Sequence, residues 1–129
     1  MEVSRLILAS DYLRAQRVRS LIRKEFIEAL SQFDALLVPT CPMTALKIGE
    51  RSVKIGDKVV DVMSAIGPYA PSFNLTGLPA LTLPCGFSKT GLPIGLQIIG
   101  KPFDEGLVLR VGWAYEANTD WHLRRPPIG

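Results

Sequence analysis

The sequence has 129 residues, of which 47% are hydrophobic and 21% charged, and its formal net charge is +3. These values are typical of an ordered globular protein and exclude a disordered chain, while the charge is too small to argue by itself for a nucleic-acid partner. No apolar run approaches the roughly 18 residues that a membrane-spanning helix needs, so no membrane association is expected. Cys41 and Cys85 lie far apart and no export signal precedes them, which predicts two free thiols in a reducing cytoplasm.

Residues 11–33 carry apolar side chains at helical spacing and predict an amphipathic helix that Ser10 or Asp11 could cap. The stripe comprises Val18, Leu21, Ile22, Phe26, Ala29, Leu30 and Phe33. The opposite side is basic, which leaves open a non-catalytic role in binding RNA or another subunit. The commoner explanation is a solvated face whose long side chains cover apolar surface, and no aromatic residues are interleaved for base stacking. Nucleic acid is therefore not the favoured partner.

The next segments predict a strand followed by a surface excursion. Residues 34–42 form an apolar run closed by two prolines, which is typical of a fully buried strand in a parallel sheet. Helix followed by strand is an α/β pattern. Residues 43–66 are more polar and predict a small hairpin that turns at Gly56 and Asp57. Residues 67–73 are rich in proline and aromatic side chains and predict a rigid loop.

Residues 74–100 predict the central hairpin, with strands at 80–87 and 94–99 joined by the turn residues 88–91. Alternation places Leu81, Leu83, Cys85 and Phe87 on one face of the first strand. Pro84 cannot donate to a strand ladder and requires an edge, a bulge or a loop, and Gln97 needs hydrogen-bond partners if it is buried. Residues 104–118 then predict a helix capped by Asp104, in which Gly106 and Gly112 indicate close packing. Trp121 is expected to anchor the polar tail.

Residue patterns that carry chemistry are missing from the sequence. It has no phosphate-binding glycine loop and no G-x-S-x-G elbow, and the single histidine, His122, cannot complete a zinc site with two isolated cysteines. The sequence therefore predicts no catalytic residue, no metal ion and no cofactor. From the residues alone it is an α/β piece without a recognisable active site.

Four motifs in order resemble the carboxyl-terminal part of the amidase signature family. They are FDALLVPT, FNLTGLPALTLPCGF, GLPIGLQIIGKPFDE and AYEANTDWH, and the resemblance extends over about residues 10–126. The family includes amide hydrolases and the A subunit of the tRNA-dependent glutamyl and aspartyl amidotransferases. The resemblance implies an α/β/α sandwich around a mixed sheet. It also implies a serine nucleophile, activated through a second serine and a lysine, that forms an acyl-enzyme and releases ammonia or an amine.

In the family those three catalytic residues belong to amino-terminal segments that this sequence does not contain, so no residue here inherits a catalytic role. The loop before NLTG contributes to the family's substrate pocket, which makes Tyr69 and Phe73 the candidate substrate-binding residues. Packing beneath the hairpin is the alternative for both. In the amidotransferases an acidic residue of this loop recognises glutamine. Residues 66–73 hold no Asp or Glu, which favours a general amidase with a less polar amide substrate.

We therefore expect residues 1–129 to form a single incomplete domain that is inactive alone. Such a chain is a fragment, a truncated reading frame or one half of a split enzyme. A sheet without its neighbouring strands exposes an apolar edge, so the expected partners are the amino-terminal remainder of the fold or a second copy of the chain. The corresponding part of an amidotransferase A subunit is the alternative, and it would show glutamine binding and partner subunits.

Overall fold

The computed structural model describes residues 7–126, and an antiparallel hairpin lies at its centre. Strands β4 (Ala80–Phe87) and β5 (Pro93–Gly100) pair as the sequence predicts. The turn is closed by a bond from the Ser88 N–H to the Leu92 carbonyl at 2.8 Å, and Gly91 adopts a φ of 80° that glycine accepts without strain. The predicted turn at residues 88–91 is confirmed.

Strand β1 (Ala35–Pro39) pairs with the other side of β5, which gives the strand order β1-β5-β4. The pairing is antiparallel, with Leu37 opposite Ile98, so the prediction of a parallel strand is wrong. The burial is also lower than predicted, because Leu37 is exposed. An apolar run indicates that a strand will be at least partly covered. The direction of the strand is not encoded in the run, because it depends on which distant strand pairs with it.

The ladder between β4 and β5 is irregular where the sequence indicates it. The register shifts between Pro84 and Gly86, and Pro84 lies opposite Gly95. Strand β4 is an outer strand of the described sheet, so one of its edges is unpaired within residues 7–126. Such a strand tolerates Pro84, which has no N–H to donate. The prediction that Pro84 requires an edge or a bulge is confirmed.

Both faces of β5 are buried, and they face different layers of the structure. Ile98 packs with Leu83 and with Val108 of the final helix. Ile99, the next residue, packs with Leu30 of the first helix and with Phe73. Neighbouring strand residues point to opposite faces, so these two fully buried isoleucines identify a sheet between two helical layers. The α/β class and the three-layer arrangement agree with the sequence prediction, although every strand pair within residues 7–126 is antiparallel.

The two long helices form the opposite layers. Helix α1 spans Ala9–Gln32 and begins after Leu8, not at the predicted caps Ser10 or Asp11. Only its carboxyl-terminal half reaches the core, through Leu30 and the partly buried Phe26. The apolar residues of the amino-terminal half, among them Leu13 and Val18, are exposed.

Helix α4 spans Glu105–Ala117 and begins after Asp104 as predicted, but the Asp104 side chain forms no capping hydrogen bond, so the prediction of a cap is wrong. Its two glycines differ. Gly112 is buried, and a Cβ there would overlap Leu81, whereas a Cβ at Gly106 would meet only the Arg110 Nη1 atom at 3.9 Å. The prediction of close packing is confirmed for Gly112 and is wrong for Gly106, which lies on the exposed side of the helix.

A second, two-stranded sheet follows β1. Strands β2 (Ser52–Ile55) and β3 (Lys58–Asp61) pair around Gly56 and Asp57, which confirms the predicted small hairpin. The chain continues into α2 (Val62–Ile66), whose first turn is capped by the Asp61 carboxylate at 3.1 Å from the Ser64 N–H.

The segment predicted as a rigid loop contains the start of another helix, so that prediction is wrong in part. Helix α3 spans Ala70–Thr76 and has proline in its first turn, where the missing N–H costs no helical hydrogen bond. Its carboxyl end is held by α1. Arg19 Nε donates to the Leu75 carbonyl at 2.6 Å, and Arg23 donates to the Thr76 carbonyl. Two side chains of the basic face thus hold the end of a neighbouring helix, a role that the sequence alone does not reveal.

The tail after α4 folds back onto the end of the hairpin through a short 3-10 helix, Trp121–Leu123. The Trp121 ring lies 6.2 Å from the Phe87 ring, centroid to centroid, which confirms Trp121 as the anchor. Both cysteines are free. Among residues 7–126, no helix combines the length and the apolar character needed to cross a membrane.

Candidate functional site

The segment that leaves β1, residues 40–46, borders three open grooves. The first, of about 350 Å³, lies between this segment and α2; it is lined by Cys41, Met43, Thr44, Ala45, Leu46, Val62 and Ile66. The second, of about 310 Å³, lies between the same segment and the start of β5 at Ile94 and Gly95. The third, of about 320 Å³, lies between Pro42, the small hairpin and Tyr69. We refer to these three together as the strand-exit grooves.

The sheet fixes the start of this segment. The Thr40 N–H donates to the Gly95 carbonyl at 2.9 Å, so the chain stays attached to β5 beyond the last residue of β1. A Cβ on Gly95 would lie 2.7 Å from the Thr40 Oγ1 atom and 3.0 Å from its Cβ atom. Glycine at 95 therefore permits the close approach of Thr40 to the sheet.

Two buried polar atoms beside this contact lack partners. Neither Thr40 Oγ1 nor Gln97 Oε1 has a hydrogen-bond partner within residues 7–126. Gln97 is 6% exposed, and its amide nitrogen reaches only the Thr82 hydroxyl, at the long distance of 3.5 Å. A buried polar group without a partner costs about 1–3 kcal/mol. The predicted need of Gln97 for partners is thus only partly met by the described residues.

The structure separates the two residues predicted to bind substrate. Tyr69 is half-buried and lines the third strand-exit groove. Phe73 is only 3% exposed and packs in the core, where its ring meets the Phe26 ring edge-on at a centroid distance of 5.2 Å. Tyr69 is therefore accessible from a groove and Phe73 is covered by the chain itself. Their assignment as substrate-binding residues stays a prediction.

The grooves carry few groups that could perform chemistry. Their walls are mostly apolar, Cys41 lines two of them, and the third is also lined by Lys58, Ser64 and Tyr69. Within the described residues no three His, Cys, Asp or Glu side chains are arranged to hold a metal ion. Several serine hydroxyls of residues 7–126 form hydrogen bonds. Their partners are backbone carbonyls, the Asp61 carboxylate, the Thr90 hydroxyl and the Leu92 N–H, and none of the partners is a lysine. These residues can shape a pocket, but they do not present an activated nucleophile.

Sequence patterns did not identify residues 40–46 as part of a site. The signal that could have done so is the pair of prolines Pro39 and Pro42, because prolines after an apolar strand mark the place where the backbone leaves the sheet. Binding residues are often found on such exits.

Comparisons with known proteins identify the family of the chain. A family model described as Amidase matches residues 1–109. The A subunit of glutamyl-tRNA(Gln) amidotransferase from Synechococcus sp. (strain JA-2-3B'a(2-13)) is 50% identical over 118 residues, which are 92% of this chain and 22% of that protein. The crystal structure of an amidase superposes with a TM-score of 0.82 at 33% identity, covering 88% of this chain and 26% of that one.

A second solved structure, that of the glutamyl-tRNA(Gln) amidotransferase A subunit from Thermotoga maritima, is 42% identical with a TM-score of 0.69 and covers 84% of this chain and 22% of that one. The chain belongs to the amidase family, as its motifs predicted. It spans about a quarter or less of the length of these relatives.

Proposed function

We propose that the chain is the carboxyl-terminal part of an enzyme that cleaves amide bonds through an acyl-enzyme. In this proposal residues 1–129 are one incomplete domain that supplies part of the sheet and one wall of the pocket. The nucleophile and its activating residues come from the remainder of the fold. The observation that carries the proposal is that three grooves of a family member converge on residues 40–46, although the one serine of residues 7–126 that lines them, Ser64, hydrogen-bonds to Asp61 and to no lysine.

The substrate of the complete enzyme is proposed to be a small amide. The groove walls beside Cys41, Val62 and Ile66 are apolar, which suits an acyl group with little polarity. The absence of Asp and Glu from residues 66–73 supports the same choice. Tyr69 is the wall residue that we expect to contact the substrate. A reducing compartment such as the cytoplasm is proposed because both thiols are free.

The A subunit of a glutamine-dependent amidotransferase is the second candidate. It is favoured by the identity of 50% over 118 residues with the A subunit of a glutamyl-tRNA(Gln) amidotransferase. It would require glutamine recognition by residues outside the 66–73 segment, together with partner subunits.

Exchange of the matched segment tests both candidates. The 118 matching residues of the Synechococcus A subunit are replaced by those of this chain, and ammonia release from benzamide and from glutamine is measured. We expect the chimera to hydrolyse benzamide faster than glutamine, and we expect the 129-residue chain alone to release no ammonia. Preference for glutamine would favour the second candidate. A folded chimera that cleaves neither amide, or turnover by the chain alone, would contradict the proposal.

A matched pair of variants locates the effect. Gly95→Ala places a Cβ atom 2.7 Å from the Thr40 Oγ1 atom beside the strand-exit grooves, whereas Gly106→Ala adds the same methyl group at an open position. We expect the first change to reduce turnover of the chimera at least about tenfold, since small displacements of pocket residues have effects of that size. The second should leave turnover unchanged.

A further inference from the structure

A fourth cavity lies away from the strand-exit grooves, between the end of the hairpin and the tail. It has a volume of about 390 Å³ and is enclosed by residues from two separate segments, 84–93 and 121–126. We call it the tail pocket. Its apolar walls include Phe87, Leu92, Pro93 and Trp121, so the interior offers flat hydrocarbon surfaces.

The tail pocket is held in shape by Arg124. Its guanidinium carbon lies 5.2 Å from the centre of the Phe87 ring and 4.6 Å from the centre of the Trp121 ring. The same guanidinium lies 3.6 Å from the Asp120 carboxylate, in an exposed ion pair. The cation–π contact with Phe87 joins the tail to the hairpin, and the contact with Trp121 lies within the tail.

Within residues 7–126 the polar side chains of the lining are all basic, those of His122, Arg124 and Arg125. No acidic side chain among residues 7–126 lines the pocket; the nearby Asp120 carboxylate is paired with Arg124. Arg125 forms no ion pair within the same range. His122 Nδ1 is buried and has no hydrogen-bond partner among the described residues, which is a cost that a bound polar group would remove.

We propose that the tail pocket binds a small organic anion with a flat apolar body, such as an aryl carboxylate or an aryl phosphate. The ring of the ligand packs against Trp121 and the three prolines of the lining, and its anionic group pairs with Arg125 and reaches His122. Charge-assisted hydrogen bonds from a guanidinium give the site its preference for an anion over a neutral molecule of the same shape. The pocket shares no lining residue with the strand-exit grooves, so the proposal is independent of amide turnover.

Fluorescence of Trp121 tests the proposal. Trp113 and Trp121 are the two tryptophans of the chain, and Trp113 lies exposed on α4, so Trp113→Phe leaves Trp121 as the single reporter. The chain is titrated with benzoate, phenyl phosphate, benzamide and acetate. We expect saturable changes with benzoate or phenyl phosphate, binding of benzamide at least about tenfold weaker, and no saturation by acetate. The tighter of the two aryl anions identifies the preferred anionic group.

Two further variants complete the test. Arg125→Gln should weaken binding of the aryl anion about tenfold, whereas Arg110→Gln, an exposed arginine of α4 outside the pocket, should not change it. Circular dichroism confirms that both variants fold, and saturation-transfer NMR provides a readout that does not depend on tryptophan. Equal binding of benzoate and benzamide, equal effects of the two arginine variants, or no binding of either aryl anion by both methods would overturn the proposal.

Discussion

Alanine at the two glycines of α4 tests the packing of this helix on the sheet. The same methyl group enters one helix at a buried position, Gly112, and at an exposed one, Gly106. At position 112 the new Cβ would overlap Leu81 and lie 3.4 Å from the Leu83 Cδ1 atom. Neither glycine has a positive φ, so alanine adds no backbone strain.

The expected magnitudes follow from two opposing effects. Alanine is favoured over glycine inside a helix by up to about 1 kcal/mol. Insertion of a methyl group into a packed site costs about 1–3 kcal/mol. Gly106→Ala should therefore raise the free energy of unfolding by up to about 1 kcal/mol, whereas Gly112→Ala should lower it by as much as about 2 kcal/mol. Helix propensity largely cancels between the two variants, so their difference of about 1–3 kcal/mol reports the packing of α4 on β4.

Urea denaturation followed by far-ultraviolet circular dichroism measures both changes. The comparison uses concentrations at which sedimentation shows a single species, because self-association would add its own stabilisation. Equal changes in the free energy of unfolding for the two variants would refute the argument, since they would mean that position 112 has room for a methyl group. A shift in the urea slope would instead indicate a change in the unfolded or native ensemble.

Three further predictions concern the core, a buried amide and a helix cap. Leu30→Ala should lower the free energy of unfolding by about 2–5 kcal/mol, because Leu30 is 1% exposed. The control Leu21→Ala, at 62% exposure, should change it by less than about 0.5 kcal/mol. Similar losses for the two variants in urea denaturation would contradict this prediction. Gln97→Leu should leave the free energy of unfolding unchanged or raise it, since the change removes a buried amide oxygen that has no partner within residues 7–126. A loss of more than about 1 kcal/mol would show that the amide has hydrogen-bond partners in the folded protein. Asp61→Ala removes the cap of α2 and should therefore speed amide hydrogen exchange in this helix, with a loss of stability of about 1 kcal/mol. The control Glu50→Ala should leave the exchange unchanged. Equal exchange in the two variants would contradict the role of the cap.

The basic face of α1 shows how a structural role can resemble a binding role. Arg19 and Arg23 hold the carboxyl end of α3, so their replacement would disturb the fold as well as any RNA contact. Arg14 and Arg17 are exposed and hold no neighbouring helix within residues 7–126, so a test of RNA binding should rest on them. The hypothesis that this face binds RNA or another subunit stays a prediction.

The candidate site was only partly predictable. The motifs identified the family, whereas the assignment of Tyr69 and Phe73, which rests on their place before or at NLTG, stays a prediction. The contribution of residues 40–46 was not foreseen, because their position depends on the attachment of Thr40 to Gly95, 55 residues later in the chain. Local patterns contain no information about such a contact.

Elements with local causes could be predicted from the amino-acid order alone. The hairpin at β4 and β5, its turn at residues 88–91, the small hairpin at Gly56 and helices α1 and α4 follow from alternation, helical spacing and turn residues within a few positions of one another. The direction of β1 became known only from the folded chain, because it is fixed by pairing with β5. The same holds for the helix at residues 70–76, since a helix of two turns is marginal alone and its last carbonyls are bound by arginines 56 and 53 positions earlier.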